Sequence, residues 1–154
     1  AEPSLNAWYD SHSVGRRLIK QIHLGLAVDT DDGLFVPVIK DVNELNDSKL
    51  RENINALKQQ LKLRKLSPES LRGNTITLSN FGAIGGRYAN PVIVPPTVAI
   101  LGAGKLCVEP VAVNGKVEIH KRIPLSLSFD HRAVTGGEAT RFMLAVLKSL
   151  QQPR

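Results

Sequence analysis

The sequence predicts an α/β fold: a two-layer sandwich in which a mixed β-sheet is covered by helices. Three observations carry this. Short runs of alternating apolar and polar residues recur along the chain and read as strands. Two segments, 47–65 and 136–150, repeat their apolar residues at helical spacing instead. The two kinds of element do not alternate as regular βαβ units, so parallel and antiparallel neighbours are expected to share one sheet, with helices on one side.

Residues 16–28, RRLIKQIHLGLAV, place Leu18, Ile22, Leu24, Leu26 and Val28 on one face of a strand. A turn follows at Asp31-Asp32-Gly33, then a β-rich run broken by Pro37. Proline has no ladder donor, so it marks an edge or a bulge. Over 47–65, Leu50, Ile54, Leu57 and Leu61 form the apolar stripe of a helix, which Pro68 closes off. Thr75 to Ser79 alternates as a short strand, with Ile76 and Leu78 inward and Thr75, Thr77 and Ser79 on the other face. Asn114-Gly115, between VAV and KVEI, signals a tight hairpin. LSLSF at 125–129 is another strand. The last helix, 136–150, turns Ala139, Phe142, Met143, Val146 and Leu150 to one side.

A chain of 154 residues is one domain's worth. It is long enough to bury roughly 68–70% of the surface its unfolded form exposes. With 42% hydrophobic and 22% charged residues, the composition excludes disordered, collagen-like and low-complexity classes. No apolar run approaches the ~20 residues of a membrane-spanning helix. The single cysteine, Cys107, cannot close an internal disulfide and favours a reducing compartment. The opening AEPSLNAWYD carries neither an initiator Met nor a signal-peptide pattern and reads as a piece of something longer.

The net charge of +6 is unevenly placed. Between Ser48 and Arg72 lie Lys49, Arg51, Lys58, Lys62, Arg64, Lys65 and Arg72 against only Glu52 and Glu69. At about 100° per residue, Arg51, Lys58, Lys62 and Lys65 stripe the helix roughly 90° from its apolar face. Such a cluster suits one anionic ligand or surface, and is equally what a solvated helix face looks like. No interleaved aromatics accompany it, so stacking on single-stranded nucleic acid is unsupported.

His131 stands out by position, just past the LSLSF strand and just before the last helix, between Asp130 and Arg132. A histidine on a connection held by rigid elements can project into a cleft and do acid–base work, though a plain surface histidine occupies such loops too. His12, His23 and His120 read as ordinary strand or loop residues, no histidine pair has metal-ligand spacing, and no metal is expected. Thr135-Gly-Gly-Glu138 fits a capping box at the start of the final helix. Gly82, Gly85 and Gly86 follow a strand, but GAIGG is not a dinucleotide fingerprint, and Pro91, Pro95 and Pro96 forbid an immediate helix. Cys107 sits among apolar strand residues and reads as packing.

Three phrases, IHLGLAVDTDDGLFVPVIKDV, GNTITLSNFGAIGG with NPVIVPPTVAILGAGK, and LSLSFDHRAVTGGEATRF, together resemble the catalytic domain of dihydrolipoamide acyltransferases. These are the E2 components of 2-oxo acid dehydrogenase complexes, in the chloramphenicol acetyltransferase-like, coenzyme A-dependent acyltransferase fold. The match runs from the first residues to the last helix in the family's order. The family signature is H-x-x-x-D-G: His131 and Gly136 match it, while Thr135 stands where the family has Asp or Asn.

The resemblance implies an acyltransferase moving an acetyl or branched-chain acyl group between dihydrolipoamide and coenzyme A. His131 would be the general base on the thiol and Ser79 the donor to the tetrahedral oxyanion. Thr135 is expected to keep the structural half of its position's role. Coenzyme A contacts fall on Asp29, Lys58, Ser79, Asn80 and Gly104, with Lys58 on the basic stripe. The lipoyl group would come from a separate domain; the lipoyl and peripheral-subunit-binding domains are absent here. The chain reads as the C-terminal part of a catalytic domain lacking its N-terminal portion. Relatives form trimers stacked into cubic or dodecahedral cores with E1 and E3 subunits, His131 and Ser79 then meeting across a subunit boundary. Neither nucleic acid nor membrane is an expected partner. The location implied is bacterial cytoplasm or mitochondrial matrix. The alternative reading is a non-catalytic core subunit of the same complex, to which the Thr135 departure lends weight.

Overall fold

A computed structural model describes residues 2–152 of the chain. Ten strands and two α-helices follow in the order β1 (Ala7–Asp10), β2 (Gly15–Leu18), β3 (Leu24–Thr30), β4 (Gly33–Phe35), β5 (Val38–Ile39), α1 (Asp47–Lys62), β6 (Ile76–Asn80), β7 (Ala99–Ala103), β8 (Cys107–Val113), β9 (Lys116–Arg122), β10 (Leu125–Phe129) and α2 (Gly136–Leu150). The main sheet runs β10-β7-β6-β3-β4, with β5 continuing β4 along β3. Strands β3, β6 and β7 are parallel to one another, and β10, β4 and β5 run against them. The mixed sheet and its helices are the expected α/β architecture.

The core gathers where α2 meets the sheet. Leu5, Ala7, Ile76, Val98, Ala99, Ala133, Val134 and Ala139 are buried together, with Tyr9, Leu24, Leu127, Phe129 and Phe142 packed around them. Both strand faces are covered at this end: Thr75 and Thr77 are buried along with Ile76. Thr75 is accommodated because its hydroxyl is hydrogen-bonded to Asn6 and to the carbonyl of His23. Beside the core an apolar groove of about 700 Å³ stays open, lined by Leu18, Ile22, Leu24, Leu78, Leu101 and Phe142 among others.

Several boundaries differ from the sequence reading. The strand expected over 16–28 is two strands, β2 and β3, joined by a bend. Asn6 makes that bend: its side-chain amide donates to the carbonyls of Ile19 and Gln21, and its own carbonyl accepts from Ile19 N–H. The helix expected to reach 65 stops at Lys62, where Arg64 turns left-handed (φ 54°) and its guanidinium holds Asp32 at 2.9 Å. The strand expected at 75–79 is shifted by one residue, to 76–80. Leu150, expected on the packed face of α2, is 54% exposed. Pro37 is the interruption it was read as, separating β4 from β5. Asn114 and Gly115 both take positive φ, 50° and 77°, as a two-residue hairpin turn requires. The hairpin they close, β8–β9, forms a sheet of its own.

Candidate active site

Parallel β3, β6 and β7 all end on the same side of the sheet. Ser79 pairs with Ala27 of β3 and with Gly102 of β7, and Asn80 pairs with Ala103. Asp29 and Gly104 therefore come one row past Asn80, on the two strands flanking β6. Four residues picked from separate stretches of sequence thus meet at the carboxyl ends of adjacent parallel strands, where open α/β sheets form their ligand crevices. Asp29 and Asn80 are exposed, Ser79 is half-buried and Gly104 is buried.

The glycines here are needed for close packing. A Cβ on Gly104 would lie 2.1 Å from the Arg87 carbonyl oxygen, and one on Gly82 would lie 2.3 Å from the Gly104 backbone. The loop after β6 folds back over the end of β7, with Lys105 N–H donating to Gly86 and Gly104 N–H to Pro124. Within the glycine-rich stretch Gly82 is required by this packing, while Gly85 stands in open space with a positive φ of 110°. Lys58 is exposed on α1, one turn before Leu61. Leu61 and Arg64 share a cavity of about 350 Å³ with Thr30, Asp32 and Phe35 at the β3–β4 turn. The basic stripe therefore ends beside the same end of the sheet. Lys49, on the same helix but outside the stripe, is paired with Glu52 at 3.1 Å.

His131 lies at the other end. Strand β10 runs against β7, so Phe129 pairs with Ala99, the first residue of β7, three rows from the Gly102 row that holds Ser79. Three rows span roughly 10 Å, and His131 is two residues further out. Within one copy, His131 and Ser79 cannot share a substrate atom.

The loop carrying His131 is closely held. Asp130 N–H donates to the Val98 carbonyl, and the Asp130 carbonyl accepts from Ala133 and Val134. The Arg132 guanidinium grips both carboxylate oxygens of Asp130, at 2.7 and 3.0 Å, and holds that carboxyl below its usual range. The same guanidinium lies 4.5 Å from the centre of the Tyr9 ring. At the far end Thr135 and Glu138 form the expected capping box, worth about 1 kcal/mol for the threonine. Glu138 accepts from Thr135 N–H (2.7 Å) and Thr135 Oγ1 (3.0 Å), and from Arg16 at 3.2 Å. Led by the Thr135 N–H bond, these donors and the Ser4 hydroxyl lower its pKa to about 2. The imidazole of His131 is exposed, with the Phe129 ring 5.5 Å away. No hydrogen bond to its ring is formed among the described residues.

Sequence reasoning placed His131, Ser79 and Thr135 but missed Arg16 and Tyr9, which reach this loop from β2 and β1. Nothing local could have found Arg16, which lies 122 residues from Glu138. Among the described residues no group of three His, Cys, Asp or Glu is placed to hold a metal ion, and no helix is long and apolar enough to cross a membrane.

A family model, "2-oxoacid dehydrogenases acyltransferase (catalytic domain)", matches residues 1–154. The dihydrolipoyllysine-residue acetyltransferase of the Buchnera aphidicola pyruvate dehydrogenase complex is 42% identical over 86% of the chain and 34% of its own length. The lipoamide acyltransferase of the Pseudomonas putida branched-chain complex is 37% identical (98% and 36%), and the mouse mitochondrial succinyltransferase of the 2-oxoglutarate complex 35% (99% and 34%). The chain therefore spans about a third of the length of these relatives. Among solved structures, an Azotobacter vinelandii dihydrolipoamide acetyltransferase, studied for the roles of a serine, a histidine and an asparagine in its mechanism, superposes with TM-score 0.87 at 36% identity. The superposition covers 94% of this chain and 59% of that one. A cubic core of a pyruvate dehydrogenase complex gives TM-score 0.87 at 36% identity, over 93% and 59%. Matched from end to end in sequence and superposing closely in three dimensions, the chain belongs to the acyltransferase catalytic-domain family of the 2-oxoacid dehydrogenases.

Proposed function

We propose that the protein, assembled with copies of itself, transfers an acetyl or branched-chain acyl group between dihydrolipoamide and coenzyme A. One observation carries the reading. The serine and histidine studied in the Azotobacter enzyme stand 52 positions apart, as Ser79 and His131 do, and its asparagine follows the histidine by four, as Thr135 does here.

In this reading His131 Nε2 takes the proton of the attacking thiol, a contribution of about 10²–10⁴ in rate. The sulfur bonds to the thioester carbon, and the carbonyl oxygen becomes an oxyanion that accepts from Ser79 Oγ; one such donor is worth about 3–4 kcal/mol. Collapse breaks the original carbon–sulfur bond, and the departing sulfur recovers the proton from the imidazolium. Coenzyme A lies along the carboxyl ends of β3, β6 and β7 against Asp29, Asn80 and Gly104. Lys58 faces its phosphates, where a cation has a direct electrostatic use. The dihydrolipoamide arm comes from a separate lipoyl domain and enters from the opposite side.

Because one chain holds Ser79 and His131 at opposite ends of its sheet, the active site forms between neighbours. A homotrimer, a closed head-to-tail ring, would supply each histidine with a neighbour's serine, and the likeness to a cubic core supports further assembly around E1 and E3 partners. The test is acyl transfer to dihydrolipoamide by the assembled protein, with acetyl-, isobutyryl- and succinyl-coenzyme A as donors. His131→Ala is expected to lower kcat at least 100-fold and Ser79→Ala 100-fold or more, each with little change in KM. Undiminished turnover in His131→Ala would remove the proposal.

A further inference from the structure

Among the described residues the His131 ring has no hydrogen bond of its own, so the direction in which it points is set by the loop beneath it. That loop is clasped from outside by one cross-strand pair. Tyr9 and Arg16 stand opposite each other in the β1–β2 hairpin. Tyr9 offers its ring to Arg132, directly after His131 in sequence. Arg16 sends one nitrogen, Nη1, to two acceptors: the backbone carbonyl of Ala133 and Oε1 of Glu138. Its side chain is 31% exposed and that of Glu138 is 18% exposed, so the pair lies at the surface with the carboxylate the more covered of the two.

Glu138 divides its two oxygens accordingly. Oε1 faces Arg16, while Oε2 takes the N–H and the hydroxyl of Thr135. The arrangement joins β2, the loop carbonyl two residues past His131, and the first turn of α2 through a single guanidinium. Ala133 and Val134 are buried, so the segment between the anchors cannot shift without disturbing the core. Thr135 alone would tie the loop only to its own helix. Arg16 adds a tie from the loop to β2, beside the Asp130–Val98 hydrogen bond and the Tyr9–Arg132 contact.

We propose that Arg16, acting with Glu138, is a positioning residue for His131. It touches no reacting atom. It fixes the backbone that aims the imidazole, and it does so from an element remote in sequence. Misplacing a catalytic group by about 1 Å is enough to cost on the order of 100-fold in rate, without any loss of substrate binding. The proposal rests on His131 being the base, so the test must separate the two ideas.

The experiment measures kcat, KM for both thiol substrates, and Tm of the assembled protein in Arg16→Met, Arg16→Lys, Glu138→Gln and His131→Ala. Arg16→Met keeps the length of the side chain and removes its donors. It is expected to lower kcat roughly 10- to 100-fold, with each KM within about twofold and assembly intact. Arg16→Lys, which can still reach one acceptor, is expected to recover most of the loss. Glu138→Gln, which leaves Thr135 an acceptor but discharges the pair, should fall between. If His131→Ala is inactive while Arg16→Met keeps kcat within twofold of the parent, positioning is refuted and the base assignment stands. If His131→Ala is fully active, the base assignment itself is refuted, and this proposal with it. Failure of Arg16→Met and Arg16→Lys to assemble also counts against the proposal, because the pair would then be holding the fold and not the imidazole.

Discussion

Glu138 collects donors from two sides, and that sets how the fold meets acid. Its carboxyl is held at about 2, chiefly by the Thr135 N–H and then by the hydroxyls of Ser4 and Thr135 and by Arg16, against an ordinary value of 4.5. A carboxyl depressed in the folded state contributes stability that is complete above the unfolded value and is lost as pH falls through the folded one. The window is therefore pH 4.5 down to about 2. Glu2, Asp10 and Asp130 are also lowered, so the whole chain loses stability in acid. The difference between parent and Glu138→Gln isolates the one group. Tm measured against pH should fall less steeply for the variant between pH 4.5 and 2, and the two curves should run parallel near neutrality. Equal slopes below pH 4.5 would show that the network adds nothing. His131 and Thr135 were legible at this scale because their cues are local: the end of a strand, and a capping box four residues later. Arg16 was not legible, since its partners come from the far end of the chain.

Among the elements, the ones read correctly carry their own punctuation. Strand β10 and helix α2 occupy 125–129 and 136–150 as expected, each bounded by residues that stop or cap it locally. The β8–β9 hairpin is fixed by two turn residues with positive φ. Strands β2 and β3 read as one run in the sequence because the bend between them is imposed by Asn6, whose grip is visible only once the chain is folded. The last turn assigned to α1 was lost to an ion pair with Asp32 from a different hairpin. The crossing of the post-β6 loop over β7 is likewise invisible in GAIGG and LGAGK taken singly. It makes a firm prediction. In Gly104→Ala the new methyl meets backbone, not a flexible side-chain tip, so something rigid must move. Chemical denaturation should show a loss of about 1–3 kcal/mol or more. Because Ser79 and Asn80 lead directly into that loop, the KM for coenzyme A should rise in the same variant. Unchanged stability would mean that the loop passes over β7 with room to spare.

At the scale of the whole molecule, the proposed site residues divide between the two ends of one sheet, Ser79 with Asn80 and Asp29 at one, His131 at the other. Composition and periodicity hold no trace of this; it follows only from the antiparallel return of β10 against β7. Chains carrying Ser79→Ala alone or His131→Ala alone should each be nearly inactive. Dissociated, mixed in equal amounts and reassembled, they should regain activity at about a quarter of the sites, each of which draws an intact histidine from one chain and an intact serine from the next. Mixtures as inactive as their parents would place both groups within a single copy by some larger rearrangement. The same separation sets a law of dosage. On the proposed shared site, a chain defective in both residues spoils one site as histidine donor and another as serine donor, so the total activity falls as the square of the intact fraction. In a cell carrying one damaged gene copy, about a quarter of the activity would remain where independent sites would leave about half. The antiparallel turn of a single strand would thereby make a lesion that looks recessive in one chain partly dominant in the assembly.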